Sequence, residues 1–219
     1  MAHFPLRFIF GAAYYEEYNT RDRLDYDLRL MSEAGMNTVR IAESTWSVEE
    51  PVQGVFDFSH VTRVIEAAAE YGIDVIVGTP TYAIPTWLAD LDPEILGDNK
   101  FGPRQNMDIT NPTYRFYAER IIREIVSRTA GYPNVIGFQV DNETKHYGVH
   151  SAHVIAGFYE WLRKRHGTID NVNKAYGLAH WSNSAASFDA LPDPTGSVNA
   201  GYIGAWEEYR RELAAEFLH

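Results

Sequence analysis

The sequence predicts an α/β fold, and within that class a (β/α)8 TIM barrel of which the chain carries about the first half, strands 1–4 with their following helices. Three observations lead there. Short apolar, β-branched runs alternate with helical patterns. No strand end bears the GxGxxG or GxxxxGK(S/T) turn that a nucleotide-binding doubly wound sheet uses. Successive strand ends instead carry carboxylates, amides and tryptophans, the chemistry of a barrel mouth.

The elements follow in order. RFIFGAA (7–13) reads as a short buried strand. In 22–36, Leu24, Leu28, Met31 and Ala34 share one helical face, and Gly35 closes it. NTVRIA (37–42) is the second strand, with Glu43 and Trp46 after it. A helix runs from Ser59 to Gly72. IDVIVGT (73–79) is the third strand, followed by Tyr82 and Trp87. Residues 111–131 form a long helix with Pro112 in its first turn. NVIGFQV (134–140) is the fourth strand, and Asp141, Asn142 and Glu143 stand at its exit. Residues 150–167 are helical, 181–196 are loop-like, and 197–219 contain a last helix. Such continuous apolar strands suit a parallel sheet covered on both faces.

The pattern offers four strands and no fifth, whereas a full barrel needs eight and usually about 250 residues. The expectation is one partial N-terminal (β/α)8 catalytic domain over residues 1–219. The remainder of the barrel and any C-terminal domains are expected to be absent.

Composition narrows the function. A net charge of −11 repels phosphate backbones, so no nucleic-acid partner is expected. The chain has no cysteine, which excludes disulfides, thiol catalysis and cysteine-based zinc sites, and fits a cytoplasmic protein. The segment MAHFPLRFIFGAAYYEEY lacks the apolar core of a signal peptide, and no run of about 18 apolar residues suggests a membrane span. The 14 Tyr, 11 Phe and 5 Trp supply a core and also suit a site for flat, hydroxyl-rich ligands.

Glu143 is the main candidate for chemistry. A strand-end carboxyl can be partly desolvated, which raises its pKa and lets it act as a general acid. Pattern alone leaves a strand-terminating turn equally open, because Asp-Asn favours turns. Asn142 can hydrogen-bond a substrate hydroxyl. Arg104, in KFGPRQNMD, could bind hydroxyls or a carboxylate, or be an ordinary surface arginine. Trp181 could stack on a sugar face or be a packing residue. Glu43 could touch substrate, support another ligand, or pair with Arg40. His146, His150 and His153 lack a carboxylate at ligand spacing, so no metal site is expected. No cofactor is expected.

Several segments, in order, resemble family 42 glycoside hydrolases, the β-galactosidases of clan A. They are FGAAYYEEY, DLRLMSEAGMNTVRIAESTWSVEEPVQGVFDFS, GIDVIVGTPTYAIPTWL, NPTYRFYAERIIREI, VIGFQVDNE and WLRKRHGTIDNVNKAYGLAHWS. The resemblance implies a retaining β-galactosidase acting on terminal β-galactosides by double displacement. It makes Glu143 the general acid/base and Asn142 its sugar-binding neighbour. Arg104 and Trp181 fall at the pocket for the sugar being transferred, and Glu43 in a family motif. It further implies a homotrimeric parent. The family's nucleophile lies on a seventh strand that this chain does not reach, so the fragment is expected to be inactive. Two departures stand out: Glu16-Glu17 replaces a usual Pro-Glu pair, and a family cysteine cluster for structural zinc is missing. A non-catalytic galactoside-binding half-barrel and another clan A glycosidase such as an arabinosidase are the alternatives.

Overall fold

The computed structural model describes residues 8–97, 102, 107–144 and 151–219. The chain divides into two compact units, Met1–Asp92 with Phe116–Glu143, and Pro93–Arg115 with Thr144–His219.

The first unit is built on four parallel strands: β1 (Gly11–Ala13), β2 (Thr38–Ile41), β3 (Asp74–Gly78) and β4 (Val135–Gln139). Their spatial order is the order in the sequence. Each crossover therefore steps the same way, and right-handed crossovers place the connecting helices on one face. A doubly wound sheet reverses direction at a switch point. This sheet does not, so it is the arc of a barrel.

The helices between these strands are α1 (Leu24–Glu33), α2 (Trp46–Glu49), α3 (Ser59–Glu70), α4 (Thr86–Leu91) and α5 (Pro112–Thr129). Val61, Val64, Ile65 and Ala68 form one buried stripe on α3, and Ala118, Ile121 and Ile125 another on α5. Val39, Val75 and Val77 of the sheet are fully buried. Each such Val or Ile stabilises the fold by about 1.5–3 kcal/mol relative to exposure. The short helices α2 and α4 escaped the sequence reading because four and six residues show too little periodicity.

The expectation of a sheet covered on both faces is met on one face only. Alternate residues Thr38, Arg40 and Ile76, with Gly11 and Ala13, line an open concavity of about 320 Å³. β1 is not the buried strand expected; all three of its residues are exposed. The glycine that opens it has a steric cause. A Cβ on Gly11 would stand 1.6 Å from the Thr38 carbonyl oxygen, so β1 approaches β2 this closely only with glycine at that position.

The second unit packs α6 (Ala152–His166), α7 (Ile169–Ala175) and α8 (Ala200–Phe217). The Phe158 ring lies 5.2–5.6 Å from those of Tyr202, Trp206 and Tyr209. Gly157 lets α6 approach α8, since a Cβ there would sit 2.1 Å from the Tyr209 hydroxyl. Ser151 caps α6 and Thr168 caps α7. The stretch 181–196 carries no long element, only 3-10 turns at His180–Ser182, Phe188–Ala190 and Pro194–Gly196.

Candidate active site

The C-terminal ends of the strands bring polar groups together in the first unit. At the end of β2, Ala42 takes a positive φ of 73° and Glu43 follows it, only 2% exposed. Arg40 donates from Nη2 to Glu43 Oε1 at 2.9 Å and to the Tyr15 hydroxyl at 2.9 Å. The Tyr15 hydroxyl donates in turn to Glu43 Oε1. Burial, and then that hydrogen bond, hold the Tyr15 hydroxyl above its ordinary pKa. Glu43 is thus a buried anion tied to a cation, with Oε2 lacking a hydrogen-bond partner among the described residues. Of the alternatives for Glu43, pairing with Arg40 is realised. Tyr15, whose partner lies 28 residues on, was missed.

At the end of β3 the chain turns through Thr79 into a 3-10 turn, Pro80–Tyr82. At the end of β4, Asp141 and Glu143 take positive φ values of 54° and 48°, with Asn142 between them. Gln139 Nε2 donates to Asn142 Oδ1 at 2.9 Å. Tyr82 donates its hydroxyl to Glu143 Oε2 at 3.4 Å. Glu143 itself is exposed, so the partial desolvation expected of it is not provided by the described residues.

Trp181 lies in the second unit, 69% exposed and at φ 63°. Its ring meets only His180 among the described ring pairs, edge-on at 5.1 Å. Arg104 lies outside the described residues, as do His146 and His150; His153 is exposed, 4.0 Å from Glu94. Two tryptophans read as strand-end chemistry serve packing instead. Trp46 is fully buried and donates to Glu50 Oε2 at 3.1 Å, while Trp87 donates to the Glu50 carbonyl at 2.9 Å. No described helix is long and apolar enough to cross a membrane.

Sequential parallel strands define the class, the arc of a (β/α)8 barrel, and carboxylate, amide and tyrosine at their C-terminal ends make that end the candidate site. A family model described as beta-galactosidase, glycoside hydrolase family 42, matches residues 13–219. The chain belongs to that family. It is 37% identical to a β-galactosidase of Thermus thermophilus, over 84% of this chain and 30% of that protein. It is 31% identical to the β-galactosidase BgaH of Haloferax lucentense, over 94% of this chain and 33% of that one. The solved E323A catalytic mutant of the family 42 β-galactosidase Gan42B from G. stearothermophilus superposes with a TM-score of 0.88 at 28% identity, covering 95% of this chain and 32% of that one. The chain spans about a third of the length of these relatives, and its four strands are the N-terminal half of their barrel.

Proposed function

We propose that this chain is the N-terminal part of a retaining β-galactosidase in which Glu143 is the general acid/base. The observation that carries the reading is the Asn142-Glu143 pair at the C-terminal end of β4, in a chain of this family. In the first step the Glu143 carboxyl gives its proton to the glycosidic oxygen as the bond from galactose C1 breaks. A second carboxylate forms a bond to C1. In the next step Glu143, now ionised, takes a proton from water, whose oxygen displaces that carboxylate. Retention requires the two carboxyl groups about 5–5.5 Å apart. We assign the second to the part of the relatives that this chain does not span.

Asn142 and Arg104 are assigned to sugar hydroxyls, Trp181 to the sugar face, and Glu43 to substrate or to the support of its neighbours. The exposure of Trp181 supports a platform over a packing role. The acidic, cysteine-free composition supports a cytoplasmic protein without a nucleic-acid partner. The homotrimeric parent rests on the family resemblance alone, and light scattering of a full-length relative checks it.

A chimera testing Glu143 replaces the matching N-terminal third of the Thermus thermophilus relative with this chain. Hydrolysis of a chromogenic β-galactoside should fall at least a thousandfold on Glu143→Gln; an unchanged rate sinks the assignment. The 219 residues alone should show no turnover. Turnover that Glu143→Gln abolishes would overturn the need for a second half.

The exposure of Glu143 favours a second reading, a half-barrel that binds galactosides without cleaving them. Calorimetric titration of the chain with galactose decides it, and a flat isotherm rejects it.

A further inference from the structure

The β3–β4 ladder ends at Gly78 opposite Gln139, and Thr79 N–H then donates to the Gln139 carbonyl at 3.0 Å. Beyond that point side chains replace backbone. Asp141 N–H donates to Thr79 Oγ1 at 2.8 Å. The Thr81 hydroxyl donates to Asp141 Oδ1 at 2.8 Å. Thr79, Thr81 and Asp141 are 3%, 1% and 7% exposed.

These bonds fall on strained backbone. Asp141 and Glu143 both occupy the left-handed region, which non-glycine residues hold only when their surroundings over-determine it. A simple strand-end turn is fixed by near neighbours, but the bonds from Thr79 and Thr81 come from 62 and 60 residues away. One short segment, Thr79–Tyr82, therefore grips Asp141 twice and reaches the Glu143 carboxylate through Tyr82.

We propose that Thr79, Thr81 and Asp141 are positioning residues that set the orientation of Glu143 from β3. The proposal rests on the reading of Glu143 as the acid/base. They act by holding the turn that carries the carboxylate. Both threonine hydroxyls are needed for different reasons. That of Thr79 accepts the backbone N–H of Asp141, and that of Thr81 fixes its side chain.

The test uses the 219-residue chain with 13C-labelled glutamate, and reads the Glu143 carboxyl resonance, assigned by its loss in Glu143→Gln. Thr79→Val and Thr81→Val keep shape and remove the hydroxyls. Each should leave the circular dichroism intact while displacing or splitting the Glu143 resonance by more than its line width. Thr79→Ser and Thr81→Ser, which keep the hydroxyl and lose only the methyl, should leave the resonance in its parent position; a merely structural effect of altered packing would move it in these variants too. Should a valine variant fail to fold, Asp141→Ala, which keeps the bond to Thr79 and removes that to Thr81, should give the same displacement. A Glu143 resonance unmoved in folded variants overturns the proposal. If it moves as expected but Glu143→Gln leaves turnover of the chimera intact, the positioning stands and the acid/base reading falls.

Discussion

Gly78 of β3 packs directly on Glu43 at the end of β2. A Cβ at Gly78 would stand 2.5 Å from the Glu43 Cβ, 2.8 Å from its Cα and 2.9 Å from its nitrogen. Two of those atoms are backbone, so no rotamer change relieves the overlap. Gly78→Ala should therefore push β2 and β3 apart where the site is built, at a cost of about 1–3 kcal/mol. Urea unfolding checks it: the midpoint should fall with the slope unchanged.

The Arg40–Glu43 pair makes a second prediction. Glu43 is almost wholly buried, whereas the Arg40 side chain is 31% exposed. Removing the cation leaves the anion with the Tyr15 hydroxyl. A fully buried pair broken this way loses about 3–5 kcal/mol; the partly wet guanidinium lowers the expectation for Arg40→Met to about 2 kcal/mol. Arg40→Met with Glu43→Gln should cost less than the two single changes summed, because the second removes the stranded charge. A double-mutant cycle in urea reads that coupling, and strict additivity would contradict the pair.

Much of this fold was legible because its signals are local. The stripe of Val61, Val64, Ile65 and Ala68 and the Gly72 stop mark α3 without reference to anything distant. The end of β4 was legible as polar, but its form was not. What holds Asp141 comes from Thr79 and Thr81, and what pairs with Glu43 comes partly from Tyr15; neither spacing has a period. Trp87 misled for the same reason, since its hydrogen bond to the Glu50 carbonyl spans 37 residues; Trp46 reaches Glu50 only four residues on, but its complete burial depends on what packs around it. The exposure of β1 goes with its place at the edge of the four strands, which appears only once strands are paired.

Glu49 gives a pH dependence outside the candidate site. It is buried on α2, and its carboxyl pKa is raised to about 8, first by desolvation, against the Thr45 hydroxyl that donates to Oε1 at 2.7 Å. The charge of His60 lowers it and that of Glu17 raises it. An unfolded glutamate releases its proton near 4.5, while the folded one keeps it to about 8. The folded state thus binds more protons across that window, and stability falls as pH rises through it, on the order of a few kcal/mol. His60, raised chiefly by its hydrogen bond to Glu17, acts in the same direction above its ordinary pKa. Glu49→Gln keeps an acceptor for Thr45 and removes the acid. Unfolding at pH 5, 6.5 and 8 should show a steep decline in the parent and a shallow one in the variant; equal slopes would refute the assignment.

Trp181 separates a binding platform from a packing residue by two measurements that move oppositely. A packed tryptophan replaced by alanine costs about 3–5 kcal/mol. Trp181 is 69% exposed, and its backbone sits at φ 63°, where a large side chain gains nothing locally. Trp181→Ala should then change the unfolding free energy by no more than about 0.5 kcal/mol. In the chimera with the Thermus thermophilus relative, the same change should raise KM for a β-galactoside by about tenfold, the loss of one ring stacked on a sugar, since about 1.4 kcal/mol is tenfold in binding. Thermal unfolding and steady-state kinetics on one preparation give both numbers. A large loss of stability with KM unmoved would return Trp181 to the core and take the sugar platform away from it.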